Sequence, residues 1–66
     1  MEKGKIVRYD TKLGFGFIEP RKGNDIFFYI SDVTNYSRGT ELVGRNVAYD
    51  SVETRWGKQA LNVIIL

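Results

Sequence analysis

The stretch Gly14-Phe15-Gly16-Phe17-Ile18 narrows the choice of fold more than any other part of this chain. In an extended strand successive side chains point to opposite faces. Phe15 and Phe17 then share one face, and Gly14, Gly16 and Ile18 share the other. Glycine packs nothing and weakens a strand interior, so two of them mark a bend or a close backbone approach. The aromatic face, flanked by glycines, is expected to stay open. An open aromatic face costs solubility unless something stacks on it, and the flat faces of unpaired bases are ready candidates.

A second aromatic strand follows. In Asp25-Ile26-Phe27-Phe28-Tyr29, Ile26 and Phe28 alternate with Phe27 and Tyr29. With Ile26 and Phe28 in the core, Phe27 and Tyr29 stand outside beside Phe15 and Phe17. Rings gathered on the outer face of neighbouring strands are hard to read as core, although a small barrel that simply exposes a few aromatics is the plainer alternative. An exposed apolar patch of this kind marks an interaction site.

Length and composition remove several function classes. The 66 residues form one domain, 1–66, and contain neither cysteine nor histidine. No disulfide, thiolate nucleophile or thiolate metal site is available, and the commonest general base and metal ligand is missing. No cofactor is implied, and an enzyme is not expected. The N-terminus lacks an apolar leader segment, and the longest apolar run, Val63-Ile64-Ile65-Leu66, is too short to span a bilayer. The chain therefore reads as cytoplasmic, without a membrane partner, and the glycosylation sequon Asn35-Tyr36-Ser37 reads as chance. Net charge is only +2, but residues 1–22 carry +3, residues 23–54 carry −3 and residues 55–66 carry +2. That asymmetry favours a polyanion on one side of the fold.

The remaining elements follow in order. Lys5–Tyr9 reads as the first strand, with Ile6 toward the core and Arg8 outside. Residues 10–14 form a polar turn ending in glycine, and Phe15–Glu19 stops at Pro20, which cannot donate to a ladder. Pro20–Asn24 is a turn and Asp25–Tyr29 the third strand. Ile30–Val33 is expected to form a short helical turn plugging one end of a barrel, and Thr34–Gly44 a long loop anchored by Leu42 and Val43. Asn46–Thr54 reads as the fourth strand, with Val47 and Tyr49 inward. Ser51 interrupts its alternation, which predicts a bulge there. Arg55–Lys58 is a tight turn and Gln59–Leu66 the last strand. Period two puts Val63 and Ile65 on one face, Ile64 and Leu66 on the other. One apolar pair is therefore expected to be exposed, and an exposed apolar edge invites a weak homodimer through this strand. Five short strands without helical periodicity predict an all-β, five-stranded antiparallel barrel.

At these residues the chain resembles the bacterial cold-shock proteins, OB-type barrels that bind single-stranded RNA and DNA. Gly14–Ile18 is similar to the first ribonucleoprotein motif of that family, Asp25–Ile30 to the second, and Gln59-Ala60 with Asn62-Val63 to its last strand. An RRM also carries a glycine–phenylalanine run, but it needs about 80 residues and two helices. The resemblance implies stacking of bases on Phe15, Phe17, Phe27 and Tyr29, hydrogen bonding of base edges by Asp25 and Gln59, and melting of RNA secondary structure. Lys5, Lys12, Arg55 and Lys58 are the candidate phosphate contacts. The chain departs from the family pattern at Arg8 (usually tryptophan), Leu13 (usually lysine), Tyr29 and Ile30 (usually histidine and phenylalanine) and Trp56, in a turn that usually lacks an aromatic. The Arg8 and Trp56 departures together suggest a platform extended toward the last turn, with arginine in the vacated place; the alternative makes Trp56 a hydrophobic lid on the barrel. The competing function is a barrel that binds proline-rich peptides, which would need acidic residues beside the rings. A nuclease built on Asp10 and Asp25 is a third, weaker reading.

Overall fold

The computed structural model describes residues 1–66. Strand β1 (Glu2–Asp10) pairs with β2 (Phe15–Pro20), which pairs with β3 (Ile26–Tyr29). A single 3₁₀ turn, Ile30–Asp32, and a loop lead to β4 (Asn46–Thr54), and β4 forms a hairpin with β5 (Gly57–Ile65). The strands close a barrel in the order β1-β2-β3-β5-β4. Closure leaves β3 and β5 as parallel neighbours, joined in register at Phe27 and Gln59. The expected all-β barrel of five strands is therefore present, with longer first and last strands than the sequence reading drew.

The core is one cluster of 11 buried residues, among them Ile6, Ile18, Ile26, Phe28, Val47, Tyr49 and Val63. Gly16 faces this core and is itself buried. A Cβ there would meet the backbone carbonyl of Arg8 and, at 3.0 Å, the ring of Phe28. Its glycine is thus required for close approach on the inner face, rather than to keep the outer face open. Tyr9 closes the same region, its ring stacked on Phe28 at 6.3 Å.

Two irregularities shape the barrel. Ile6 pairs with Ile18 and Arg8 with Phe17, so Val7 is an extra residue in β1. Strict alternation would send Ile6 and Arg8 to the same face, and this bulge is what turns Arg8 outward. The second lies in β5, not at Ser51 as the alternation had suggested. Between the pairs Asp50–Leu61 and Ala48–Ile64, β5 holds one more residue than β4. Asn62 absorbs it with φ 50° and donates through Nδ2 to Asp50 Oδ2 at 3.2 Å. Ser51 keeps the inward parity of Val47 and Tyr49. It lies near the barrel end, where its hydroxyl donates to Glu2 Oε2 at 2.7 Å.

Leu42 anchors the long loop, whereas Val43 is 56% exposed and anchors nothing. Leu42 is held because the chain beyond it is tied to β1: Gly44 N–H donates to Ile6 O at 2.7 Å and Ile6 N–H to Arg45 O at 3.0 Å. The C-terminal edge is covered from the same loop. Thr34 N–H donates to Val63 O at 2.8 Å, and the Asn35 side chain both accepts from Ile65 N–H and donates to Ile65 O, each at 2.8 Å. Val63 and Ile65 are buried, Ile64 is half-buried, and Leu66 is 61% exposed.

The Tyr49 hydroxyl is buried and has no hydrogen-bond partner. Desolvation, and then the nearby Glu2 carboxylate, push this phenol above its ordinary value of 10.0. A group whose folded pKa is raised contributes stability present below the unfolded value and lost as pH rises through the folded one. Thermal unfolding should show Tyr49→Phe to be neutral or up to about 1 kcal/mol more stable near pH 7, because an unsatisfied hydroxyl is removed. Above pH 10 the parent protein should lose more stability than this variant.

Candidate nucleic-acid interface

The β2–β3 register sets Phe15 opposite Tyr29 and Phe17 opposite Phe27 on the outer face, while Gly16 opposite Phe28 and Ile18 opposite Ile26 point inward. The outer rings support one another edge to face. Phe15 and Phe17 lie 6.0 Å apart at 73°, Phe15 and Phe27 6.4 Å at 76°, and Phe27 and Tyr29 5.0 Å at 77°. Edge-to-face packing is the favourable geometry for neighbouring rings. Tyr29 is 45% exposed and the three phenylalanines are half-buried.

Arg8 joins this surface from β1, its guanidinium carbon 6.0 Å from the Phe17 ring centroid. Arg8, Tyr9, Asp10, Phe15, Gly16 and Phe17 line a shallow depression of about 190 Å³. Tyr9 in that depression is shifted above 10.0, first by desolvation and then by Tyr36 and Asp10. Lys12 is exposed in the turn that precedes Phe15. That turn is fixed by Asp10, whose Oδ1 accepts the N–H groups of Lys12 and Leu13, each at 2.9 Å. Asp10 is thus a turn cap, and no cluster of acidic side chains suited to a metal ion accompanies it.

On the other side of Phe17 and Phe27 lies a cleft of about 590 Å³ between the β2–β3 turn and the β4–β5 hairpin. Asp25, Trp56 and Lys58 all line it, together with Lys22 and Glu53, which the sequence reading passed over. Lys22 could have been singled out as a cation in the turn between the aromatic strands; Glu53 carried no signal. Trp56 is 87% exposed, so it is not a lid, and the Arg55 guanidinium carbon lies 5.8 Å from its ring. Gln59 is half-buried beside Phe27, its register partner. Lys5 stands apart from the rings. It lines a separate groove of about 540 Å³ with Glu19 and two further cations, Lys3 and Arg21, which charge alone did not single out in the sequence.

A closed five-stranded barrel with aromatic rings on the outer face of two strands and cations along their margin is an OB-type nucleic-acid-binding module. The chain belongs to the cold-shock domain family. It matches the 'Cold-shock' DNA-binding domain over residues 2–66. It is 32% identical to cold shock protein CspB of Bacillus caldolyticus and 33% identical to cold shock protein CspD of Bacillus subtilis, in each case over 66 residues covering the whole of both chains. Among solved structures it is similar to drosophila Unr CSD456, with a TM-score of 0.80 at 24% identity over 98% of this chain and 26% of that one. The family is a nucleic-acid-binding one, and its members bind single strands.

The exposure of Trp56 has a direct check. In the free protein, a soluble neutral quencher should reduce its fluorescence nearly as efficiently as that of an indole free in water. A shielded emission would contradict the geometry of the hairpin.

Proposed function

We propose that this protein is a non-catalytic binder of single-stranded RNA and DNA that acts as an RNA chaperone, melting secondary structure by trapping unpaired strands. The observation that carries the reading is the outer face of β2 and β3, where Phe15, Phe17, Phe27 and Tyr29 form two adjacent cross-strand pairs. Their exposed surface is available to a base while the rings support one another edge to face. Stacking of this kind tolerates any base, because every base has a π-face. Arg8 adds a planar cation to the same surface, offering less area than an indole but a fixed positive charge.

Lys12, Arg55 and Lys58 lie around the rings and Lys5 in the neighbouring basic groove, where they attract the phosphates of a strand crossing the platform. Asp25 and Gln59 hydrogen-bond base edges beside Phe27, and Trp56 extends the stacking surface across the cleft. The protein works in the cytoplasm; none of its helices is long and apolar enough to cross a membrane. Glu2, Asp25 and Glu53 near Phe27 and Trp56 are the acidic residues that a binder of basic, proline-rich peptides would use. Such a peptide is therefore the control ligand for every titration.

The deciding experiment titrates oligothymidylate, the corresponding duplex and a proline-rich peptide at two salt concentrations. Single strands should bind far more tightly than duplex, whose base faces are hidden. Affinity should fall as salt rises, because counterions displaced by the bound cations are recovered. Equal affinity for duplex, or preference for the peptide, is incompatible with the platform. Phe15→Ala and Phe27→Ala should each weaken single-strand binding by about 1–3 kcal/mol with the fold retained. Ile18→Ala should instead cost about 2–5 kcal/mol of stability by opening a cavity.

Weak self-association through the C-terminal strand belongs to the same proposal. It has to use Leu66 and the outer face of β5, since the backbone groups of Val63 and Ile65 on the open edge already have partners in Thr34 and Asn35. A pure monomer in sedimentation at high protein concentration removes it.

A further inference from the structure

The cleft between Phe27 and Trp56 differs in chemistry from the ring platform beside it. Its hairpin wall is a tight turn closed by Thr54. Thr54 Oγ1 accepts from Trp56 N–H at 3.1 Å and donates to Gly57 O at 2.6 Å, while Gly57 turns the chain at φ 114°, a conformation open to glycine. The backbone that carries the exposed indole is thereby fixed beside the cleft.

Next to it, Glu53 and Lys58 form a directly opposed cross-strand pair. Glu53 has the parity of Tyr49 and Ser51, and Lys58 that of Ala60, so both continue the inward face of the hairpin past the end of the core. Where further apolar residues would fill a longer barrel, a carboxylate and an amine line an open cleft of about 590 Å³. Paired residues of this kind stand side by side on one face. Together they present two acceptor oxygens next to one cationic donor.

An unpaired base displays its Watson–Crick edge. On guanine that edge reads O6 acceptor, N1–H donor, N2 amino donor. The two adjacent donors match the two oxygens of a carboxylate, and O6 matches an amine. Uracil and thymine place a carbonyl oxygen on each side of a single N–H, so a carboxylate there meets acceptors. Adenine and cytosine each offer only one amino group.

We infer that this cleft is a guanine-selective subsite, in which the base lies against Trp56 with N1–H and the N2 amino group donating to Glu53 and O6 accepting from Lys58. Lys58 then has a more specific role than general attraction of phosphates. The inference rests on the single-strand reading above: the platform supplies sequence-tolerant affinity, and the cleft selects one base.

The test uses oligothymidylate in which a single guanine is moved position by position. Trp56 emission reports on the cleft, and displacement of a labelled oligothymidylate reports on the platform. Guanine at one position, and not elsewhere, should bind about tenfold more tightly than thymine, with stronger quenching of Trp56. Glu53→Gln should abolish that preference without weakening binding of plain oligothymidylate, which gains if anything from the loss of a carboxylate beside the strand. Equal affinity for guanine and thymine at every position overturns the inference, as does a preference that survives Glu53→Gln. If Trp56 ignores every oligonucleotide while displacement still occurs, the subsite falls and the platform stands. If no displacement occurs, both fall.

Discussion

The antiparallel register that sets Phe17 opposite Phe27 and Ile18 opposite Ile26 carries both the core and the aromatic face. A slip of one residue would exchange them, sending the rings inward and Ile18, Ile26 and Phe28 into water. Several local devices oppose that slip. The Asp10 cap fixes the turn entering β2, and Gly16 has no room for any side chain between Phe28 and the Arg8 carbonyl. Phe28 and Tyr9 then stack behind the platform. The rings stay outside because the inner positions are already filled by Ile18, Ile26 and Phe28, which leave no space for them.

Charge is arranged around this face in a way that net charge does not convey. Arg8 and Lys12 accompany the rings on the β1 side, and Lys3, Lys5 and Arg21 form a basic groove further along β1. Carboxylates gather instead in the cleft, where Glu2, Asp25 and Glu53 face Lys22 and Lys58. A polyanion is attracted to the first two regions, whereas the third mixes both signs. The small net charge of the chain conceals this arrangement, because three of its carboxylates are gathered in the one cleft.

The aromatic strands were legible because their information is local. Phe15, Phe17, Phe27 and Tyr29 lie two apart within short runs, and period two alone assigns their faces. What the sequence hides is set by partners distant in the chain. Arg8 reaches the outer face only because Val7 is bulged against β2, which no pattern within β1 announces. Ser51 looked like a break in β4, yet it keeps its parity and the extra residue sits across the hairpin at Asn62. The apolar C-terminus looked like an open edge until Asn35, thirty residues away in sequence, proved to satisfy Ile65. Lys5 was chosen by charge alone, and charge says nothing of which groove it enters.

In the proposed binding mode, bases lie on the outer face that this register creates. NMR of the aromatic resonances during titration with a single-stranded oligonucleotide tests it most directly, because Phe28 is a built-in control on the other side of the same strand. Ring-current shifts and base-to-ring contacts should appear at Phe15, Phe17, Phe27 and Tyr29, with Phe28 essentially unmoved. Perturbations centred on Val43 and Val52, with the four outer rings silent, would contradict the account.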